Sequence, residues 1–323
     1  MTRVAVLDDW QGEAEGLTDW SALRATAELV VFHDAFADAD ATVAALAGFD
    51  VVLAMRERTL FSKPVIDRLP DLRLLAFTGP RNAAVDIPAC TARGITVCHT
   101  TPTGQGGFDT AELALGLLLA AARHLPLGDA EMRAGRFQER VPSGIGLEGR
   151  TLGVIGLGRL GGRMASYGLA LGMTVIGWSS NLTAARAAEI GVARVEKDEL
   201  LTRADAISLH LVLSDRSRGI IGAADIARMK PGCILVNTSR GPLIDAAALL
   251  AAVTAGRITA ALDVFDREPL PADAALRQAG HTVLSPHLGY VTRDNMAALY
   301  RMSVENILAW LAGAPIRVVN PPA

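Results

Sequence analysis

Three polar side chains in the second half of the chain have the types and spacing that acid–base chemistry on a carbonyl group requires. Arg240, Glu268 and His287 each follow a short apolar run that predicts a buried strand. Ligands bind outside the carboxyl ends of strands in open α/β sheets, so the three are expected at one sheet edge. Histidine titrates near neutral pH, a neighbouring carboxylate orients its ring, and arginine offers a planar fork for a substrate carboxylate. Together they predict proton transfer on an anionic substrate.

Each of these side chains also has a purely structural interpretation. A single histidine after a strand is more often structural than catalytic, Glu268 beside Pro269 could be solvated, and Arg240 could form a surface ion pair. The histidines that lack such partners are interpreted as structural: His33, His99, His124 and His281. The chain has no GxSxG sequence, which disfavours a serine hydrolase. Its histidines form no HExxH pair, so no metal site is predicted.

A glycine-rich turn earlier in the chain predicts what these residues work with. Residues 151–180 have the pattern of strand, turn, helix and strand that is typical of a parallel βαβ crossover. Gly156, Gly158 and Gly161 form a GxGxxG sequence at the strand-to-helix turn, where glycine permits a tight turn, close approach of a pyrophosphate and close helix–strand packing. Unpaired N–H groups at the helix start would bind the phosphates. The unit predicts a dinucleotide site; the alternative is a glycine-rich turn without a ligand.

Apolar runs alternate with helix-compatible segments on both sides of this unit. Over the first hundred residues this alternation indicates a small doubly wound domain. Residues 100–107 predict a linker, and Asp109 with Glu112 predicts the N-cap and capping box of a helix over 110–123. That helix is apolar nearly all round, so it is expected to be buried between domains or subunits. A long amphipathic helix over 295–311 is expected to return to the first domain.

The composition of the whole chain bounds the class of protein. The 323 residues suggest two domains of ordinary size, and the hydrophobic half of the residues is enough for a large core. The formal net charge of -3 gives no reason to expect nucleic acid or an anionic membrane as a partner. Cys90, Cys98 and Cys233 have no CxxC spacing, so no disulfide framework or zinc site is indicated. The N-terminal residues lack the apolar core of a signal peptide, and a cytoplasmic location is expected.

The order and spacing of its motifs make the chain resemble the D-isomer-specific 2-hydroxyacid dehydrogenase family. The motifs are LGVIGLGRLGGRMA, DAISLHLVLSDRSRGII, MKPGCILVNTSRGPLIDAAAL, ALDVFDREPL and SPHLGYVT. The resemblance implies an α/β fold of two doubly wound domains, a Rossmann dinucleotide-binding domain (104–288) inserted into a flavodoxin-like substrate domain (1–103 with 289–323). It also implies a homodimer that interconverts a 2-keto acid and a D-2-hydroxy acid with NAD(H) or NADP(H).

The same resemblance implies roles for particular residues. Arg240 would bind the substrate carboxylate and polarise the carbonyl, His287 would donate the proton, and Glu268 would pair with His287. Thr78 and Gly79 would offer backbone donors to the substrate carboxylate. The residues that would contact the dinucleotide are Gly156, Gly158, Gly161, Arg159 and Leu160 at the pyrophosphate, Ser179 at the adenine ribose, and Leu211, Ser217, Thr238 and Asp263 along the cofactor, with Asp263 near the carboxamide.

Three positions depart from the family pattern. Ser179 stands where NAD-using members usually carry Asp, so nothing there repels a 2′-phosphate, and Arg186 is the nearest downstream base. NAD and NADP both stay open, with a slight preference for NADP(H). Tyr290 stands where a small residue is more common. It would either narrow the substrate pocket or hydrogen-bond the substrate, or else it would only pack against the final helix. Val212 replaces the proline that usually comes two residues after His210.

The substrate and the class of function retain alternatives. If Arg56 or Arg81 faces the substrate, a dicarboxylate or a hydroxypyruvate-like polar acid is favoured; otherwise both are solvated loop arginines. A dinucleotide-sensing, corepressor-like binding protein on the same fold is the alternative to an enzyme, because such proteins keep the three residues. A formate dehydrogenase would carry an amide where Glu268 stands, and a methyltransferase would not explain the three residues together.

Overall fold

The computed structural model describes residues 1–101 and 107–321, and its contacts divide the chain into two units. Unit 1 comprises Met1–Gly107 and Thr292–Ala323, and unit 2 comprises Phe108–Val291.

The first part of unit 1 alternates short apolar strands with short helices. The strands are β1 (Thr2–Val6), β2 (Ala27–Val31), β3 (Val51–Ala54), β4 (Leu74–Phe77) and β5 (Thr96–His99). The helices are α1 (Ala14–Leu17), α2 (Ser21–Arg24), α3 (Ala39–Leu46), α4 (Lys63–Ile66) and α5 (Ile87–Ala92). The sheet is parallel with the order β2-β1-β3-β4-β5, which is the flavodoxin-like order. Every residue of β3 and β4 is buried, as a parallel sheet covered on both faces requires.

Unit 2 contains a larger sheet with seven strands. They are β6 (Thr151–Ile155), β7 (Thr174–Trp178), β8 (Ala193–Arg194), β9 (Ala206–Leu209), β10 (Cys233–Asn237), β11 (Ile258–Leu262) and β12 (Thr282–Leu284). Its helices are α6 (Asp109–Ala122), α7 (Leu125–Arg133), α8 (Arg159–Ala170), α9 (Ala184–Ala188), α10 (Lys197–Arg203), α11 (Ala223–Arg228) and α12 (Ala246–Thr254), with 3₁₀ turns at Gly241–Leu243 and Ala275–Arg277.

The seven strands are parallel in the order β12-β11-β10-β9-β6-β7-β8, the Rossmann arrangement extended by one strand. Alternate residues of the strands form a core on each face of the sheet, with Ile155 and Leu235 on one side and Val154 and Val236 on the other. The strand order reverses between β6 and β9. This reversal is the topological switch point, where open α/β sheets bind their ligands.

Helix α13 (Arg293–Leu311) completes unit 1 and packs against α1, α2 and β4 of that unit. Its N-cap is Thr292, whose hydroxyl accepts from the Asn295 N–H. The buried Tyr300 packs edge-to-face on Trp20 with ring centroids 5.8 Å apart. The implied domain boundaries were 103/104 and 288/289; the first lies outside the described residues, as does most of the linker predicted at 100–107.

The prediction that Asp109 caps the first helix of unit 2 is wrong. Helix α6 begins at Asp109 itself, its N-cap is Phe108, and no side-chain cap bond forms. The carboxylates of Asp109 and Glu112 instead lie in the first turn, where the helix dipole favours negative charge. The buried face of α6 packs against α8, β10 and β11 of its own unit, and burial of the helix between domains or subunits stays a prediction. Helix α7 was not predicted, because Pro126 and Gly128 in its first turns obscure the helical pattern.

The remaining whole-chain features concern cysteines, metals and membranes. Cys90, Cys98 and Cys233 are free and buried, and burial raises the pKa of each thiol, to about 11 for the first two and about 12 for the third. In the described ranges, no cluster of His, Cys, Asp or Glu side chains could hold a metal ion. No single helix among those described is long and apolar enough to cross a membrane; α6 and α7 pass that test only as a pair, bent by 64°.

Candidate functional site

The turn between β6 and α8 needs each of its three glycines for a different reason. Gly156 has a φ of +97°, and a Cβ there would lie 2.7 Å from the carbonyl oxygen of His210. A Cβ on Gly161 would lie 1.8 Å from the carbonyl oxygen of Gly156. Gly158 is the N-cap of α8, and no atom of the described residues lies within 4 Å of a Cβ built there. Open space at a helix N-terminus with unpaired N–H groups fits a pyrophosphate, so these residues suit a dinucleotide.

The first turn of α8 carries the two other residues predicted at the pyrophosphate. Arg159 is exposed, and its guanidinium carbon lies 5.5 Å from the centre of the Phe108 ring. Arg163, one turn later, stacks on the same ring at 3.9 Å. Leu160 is half-buried beside them. Both predicted residues therefore lie in the turn whose backbone N–H groups have no helical partner.

A cavity of about 340 Å³ lies beyond the carboxyl ends of β7 and β9, the two strands that flank β6. Its lining consists of Trp178, Ser179, Ser180 and Asn181 after β7, and Leu211, Val212, Ser214, Arg216, Ser217 and Ile220 after β9. Three of the predicted cofactor residues, Ser179, Leu211 and Ser217, thus line one cavity. Arg216 was not predicted there, whereas Arg186, the nearest base in sequence, forms an ion pair with Glu189 and is not part of the lining.

The hydroxyl of Ser217 holds the loop after β9 in shape. Its Oγ donates to the carbonyl oxygen of Val212 at 2.7 Å and accepts from the N–H of Ser214 at 2.8 Å. The Val212 side chain, at the position where the family usually has proline, is 80% exposed and adds apolar surface to the cavity. The loop therefore has a fixed conformation on one side of the cavity.

Two buried polar side chains lie just past β9 and β10. The Thr238 hydroxyl, predicted to line the cofactor, is buried and has no hydrogen-bond partner among the described residues. Buried hydroxyls are normally paired, so this one fits a bond to a ligand. His210 shares a hydrogen bond of 2.8 Å between its Nε2 and the Ser208 hydroxyl, and burial lowers the pKa of His210 to about 4. Because its ring is neutral at neutral pH, His210 is not the acid of the site.

The imidazole of His287 and the carboxylate of Glu268 form a hydrogen bond of 2.5 Å between Nδ1 and Oε2. The other carboxylate oxygen accepts from the Phe265 N–H at 2.8 Å, which fixes the carboxylate. With Nδ1 occupied, the nitrogen that can exchange a proton with a substrate is Nε2. His287 also has a left-handed backbone with a φ of +56°, a strained conformation that is concentrated at functional sites.

Arg240 is held by the loop that follows β10. The side-chain amide of Asn237 donates to the Arg240 carbonyl oxygen at 2.9 Å, and its oxygen accepts from the Ser239 N–H at 3.0 Å. The Ser239 hydroxyl in turn donates to the carbonyl oxygen of Leu209 at 2.8 Å. These bonds tie the loop to the ends of β9 and β10.

A close backbone approach joins the loop of Arg240 to the segment that carries Glu268. A Cβ on Gly241 would lie 2.1 Å from the carbonyl carbon of Phe265, so only glycine fits next to Arg240. Since the Phe265 N–H donates to Glu268, the backbone beside Arg240 packs on the segment that holds the His287 pair. The structure thus brings all three predicted residues to the carboxyl ends of β10, β11 and β12.

Asp263 organises the loop that carries His287. Its Oδ1 accepts from the Ser285 hydroxyl at 2.6 Å and the Leu288 N–H at 2.7 Å, and its Oδ2 accepts from the Gly289 N–H at 2.8 Å. Burial raises the pKa of Asp263, while the hydrogen bonds from these three donors lower it in part. The resemblance placed this residue near the carboxamide of a cofactor, whereas three donors of one loop occupy its oxygens here. Asp263 therefore holds the loop of His287 in this structure, and its contact with a cofactor carboxamide stays a prediction.

Two further contacts lie beside His287, one from Tyr290, which the sequence singled out, and one from Thr110, which it did not. The Tyr290 ring packs edge-to-face on the imidazole with centroids 5.7 Å apart, which narrows the space around His287. The hydroxyl of Thr110, at the start of α6, donates to the Gly289 carbonyl oxygen at 2.8 Å. Thr110 is remote in sequence, and no local signal marks it as a support of this loop.

In unit 1 the predicted backbone donors are already engaged. The Thr78 N–H donates to the Ala54 carbonyl oxygen at 3.0 Å, and the Gly79 N–H donates to the Thr100 hydroxyl at 2.9 Å. Both N–H groups therefore have protein acceptors in this structure, and their role in binding a substrate carboxylate stays a prediction. A carboxylate would bind the Gly79 N–H only by displacing the Thr100 hydroxyl.

Arg56 is held against the same turn, at the carboxyl ends of β3 and β4. A Cβ on Gly79, which has a φ of +96°, would lie 1.6 Å from the Arg56 guanidinium. The Arg56 backbone is left-handed with a φ of +53°, and its N–H donates to the Thr78 hydroxyl at 2.8 Å. The side-chain amide of Asn82 donates to the Arg56 carbonyl oxygen. Arg81 is exposed. Arg56 is thus held by several neighbours, and its guanidinium also pairs with Glu57, at 3.7 Å between Nε and Oε2.

Comparisons with known proteins agree on one family. Residues 115–289 match the family model described as D-isomer specific 2-hydroxyacid dehydrogenase, NAD binding domain. The chain is 36% identical over 273 residues to a D-3-phosphoglycerate dehydrogenase of Archaeoglobus fulgidus, a match that covers 84% of this chain and 51% of that protein. It is 30% identical over 327 residues to a hydroxypyruvate reductase of Blautia hydrogenotrophica, covering 98% and 99% of the two chains.

Solved structures show the same fold. A phosphoglycerate oxidoreductase from Vibrio cholerae o395 matches with a TM-score of 0.90 at 34% identity, covering 97% of this chain and 100% of that one. The chain spans about half the length of the D-3-phosphoglycerate dehydrogenases that it matches.

Proposed function

The chain belongs to the D-isomer-specific 2-hydroxyacid dehydrogenase family, and on that premise we propose that it interconverts a 2-keto acid and a D-2-hydroxy acid with a nicotinamide dinucleotide. The observation that supports this most is the His287–Glu268 pair, packed against the loop of Arg240 in the unit that carries the glycine turn. A proton donor, a fork for a carboxylate and a dinucleotide cradle are the parts that this reaction requires.

In the proposed reaction the residues of the chain move the proton and hold the substrate. A bound nicotinamide ring supplies the hydride that adds to the keto carbon. His287 donates a proton from Nε2 to the carbonyl oxygen, and takes it back in the reverse direction. Glu268 accepts the Nδ1–H bond, which orients the ring and stabilises its positive charge. Arg240 binds the substrate carboxylate through its forked N–H groups.

We propose NADP(H) as the preferred cofactor. An acidic residue at the end of the second strand of a βαβ unit binds the adenine ribose and repels a 2′-phosphate. Ser179 occupies that place after β7, and none of the described residues that line the cavity is a carboxylate. The lining therefore tolerates the added negative charge of NADP(H).

For the substrate we propose a keto acid with a second polar or anionic group, recognised by Arg56. Two of the relatives are named for such acids, a D-3-phosphoglycerate dehydrogenase and a hydroxypyruvate reductase. Arg56 lies at the carboxyl edge of a parallel sheet, where ligands bind in open α/β folds. Its conformation is fixed before binding, which lowers the entropy lost on recognition.

Replacing Arg56 with alanine is expected to raise KM for hydroxypyruvate and for a dicarboxylic keto acid about tenfold, because one charge-assisted hydrogen bond is lost. The KM for pyruvate, which lacks the second group, should stay within about twofold. Steady-state kinetics on this panel measures both. Arg81→Ala is the matched control, since Arg81 is exposed in the same region of unit 1. An unchanged ranking of keto acids in both variants would contradict the proposal.

We also propose a homodimer. Helix α7 and the segment after it expose four large apolar side chains: Leu125, Leu127, Met132 and Phe137. Neighbouring exposed apolar side chains indicate a protein–protein interface. Sedimentation equilibrium of the full chain is expected to give twice the mass of one chain, and a single-chain mass at all concentrations would refute the dimer.

The test of the proposed activity is the absorbance of reduced nicotinamide, followed with the purified chain, NADH or NADPH, and a panel of 2-keto acids. The panel contains glyoxylate, hydroxypyruvate, pyruvate, phenylpyruvate and a dicarboxylate. Oxidation with any of them, giving the D-hydroxy acid, is the expected result. Binding of both dinucleotides without turnover of any acid would overturn the enzyme and favour the dinucleotide-sensing alternative.

A further inference from the structure

The cavity beyond β7 and β9 contains an arginine that neither the motifs nor the proposed reaction requires. Arg216 is exposed, and no described carboxylate forms an ion pair with it. The residues across the cavity, Ser179, Ser180 and Asn181, offer two hydroxyls and a side-chain amide. Asp215 flanks Arg216 in sequence but is not part of the lining. The cavity therefore combines a guanidinium with neutral hydrogen-bond donors.

The position of this cavity determines which part of a dinucleotide it would contact. The glycine turn after β6 suits the pyrophosphate, and β7 is the next strand of the same βαβ unit. In that arrangement the residue after the second strand contacts the adenine ribose at its 2′ position. The apolar side of the cavity, formed by Leu211 and Val212, suits a flat base. The polar side, formed by Ser179, Ser180 and Asn181, suits a group attached to the 2′ position of the ribose.

Resting on the proposed dinucleotide-dependent function, we propose that Arg216, with Ser179, Ser180 and Asn181, forms the 2′-phosphate site that makes the chain select NADP(H). Arginine pairs with a phosphate through parallel N–H donors, and hydroxyl and amide N–H groups complete such a site. The Arg216 guanidinium would supply the positive charge that NADP-preferring members of the family often carry directly after the second strand of the βαβ unit. The proposal thus names the residue that determines cofactor specificity.

Two observations distinguish Arg216 from the other bases nearby. The Arg186 guanidinium pairs with Glu189 on the exposed face of α9 and is not part of the cavity lining, whereas Arg216 is. The loop of Arg216 is held by the Ser217 hydroxyl, which accepts from the Ser214 N–H and donates to the Val212 carbonyl oxygen, both on the N-terminal side of Arg216. Because the backbone of this loop is held before binding, the loop itself loses little entropy when a phosphate binds, which favours Arg216 as the phosphate ligand.

The experiment is a calorimetric titration of the full chain with NADPH, NADH, 2′,5′-ADP and 5′-AMP, which requires no turnover. The chain is expected to bind NADPH at least about tenfold more tightly than NADH, and 2′,5′-ADP more tightly than 5′-AMP. Arg216→Ala should weaken NADPH and 2′,5′-ADP by about 10- to 100-fold, the loss expected for a charge-assisted hydrogen bond to a phosphate. The affinities for NADH and 5′-AMP should change less than about twofold.

Three further variants test which side chain carries the preference for NADPH. Arg186→Ala, the matched control, should leave the NADPH affinity unchanged. Arg216→Lys keeps the charge but not the fork and should retain part of the preference. Ser179→Asp should invert the preference towards NADH, because a carboxylate repels the 2′-phosphate.

The proposal is overturned if Arg216→Ala changes NADPH and NADH affinity equally, or if the unmodified chain binds NADH as tightly as NADPH. Failure of the proposed catalytic function gives a different result. If no keto acid is reduced but the NADPH affinity still depends on Arg216, the 2′-phosphate site stands without the enzyme. If no dinucleotide binds, both proposals fall.

Discussion

Replacing His287 with asparagine is expected to lower kcat for keto acid reduction by about 10²- to 10⁴-fold, the usual contribution of a positioned acid. Asparagine tolerates the left-handed backbone found at this position, so the loop should keep its shape. It cannot deliver the proton that histidine carries at Nε2. Steady-state kinetics measures the loss, and calorimetry of dinucleotide binding should show a Kd within about twofold of the unmodified chain.

A matched control exists in the same unit. His281 has the same φ of +56°, but its imidazole ring packs beside Gly256 instead of beside a carboxylate. His281→Asn therefore carries the same backbone requirement without touching the acid–base pair, and should keep full turnover. Equal losses in the two variants would show that His287 matters for the backbone alone. Glu268→Gln, which keeps the size but removes the charge that orients the ring, should lower kcat less than His287→Asn does.

Replacing Gly161 with alanine is expected to abolish dinucleotide binding, with Kd raised at least about 100-fold. The new Cβ would lie 1.8 Å from the carbonyl oxygen of Gly156, so the turn after β6 must move, and with it the open space before α8. Overpacking of this kind also lowers the free energy of unfolding by about 1–3 kcal/mol. Calorimetric titration with NADPH and a thermal unfolding curve measure the two effects separately.

The next residue provides the control. Among the residues that the structure describes, a Cβ on Gly162, in the same helical turn, would meet only the Ile190 side chain at 3.8 Å, an ordinary contact. Gly162→Ala should leave the Kd unchanged and raise the free energy of unfolding by up to about 1 kcal/mol, the difference in helix propensity. Normal binding by Gly161→Ala would show that close packing of α8 on this turn is not needed for the dinucleotide.

Much of the fold could be predicted because its signals are local. Buried parallel strands such as β3, with the sequence VVLA, are continuous apolar runs, and helices such as α12 begin at a capping aspartate, Asp245. Elements without such signals were missed. Strand β8 has only two exposed residues, and α7 has proline and glycine in its first turns. Their conformation depends on neighbours that are distant in sequence.

The candidate site likewise has parts that could be predicted from the sequence and parts that could not. Arg240, Glu268 and His287 could be placed from the sequence because each follows a strand, and the ends of parallel strands share one edge of a sheet. That rule predicts that the three residues share one edge of the sheet, but it does not predict which atoms are in contact. The close approach of Gly241 to Phe265, and the three donors that occupy Asp263, are contacts between loops that only folding brings together.

By itself, then, the sequence determined the family, the two doubly wound domains, the glycine turn and the three residues at the strand ends. Each of these depends on residue type and on spacing over short stretches of chain. The tertiary structure alone decided that Arg216 rather than Arg186 lines the cavity next to Ser179, and that the Gly79 N–H is already bonded to Thr100. The physical reason is that a sheet places strand ends side by side regardless of their distance in sequence, so the nearest base along the chain need not be the nearest base in space.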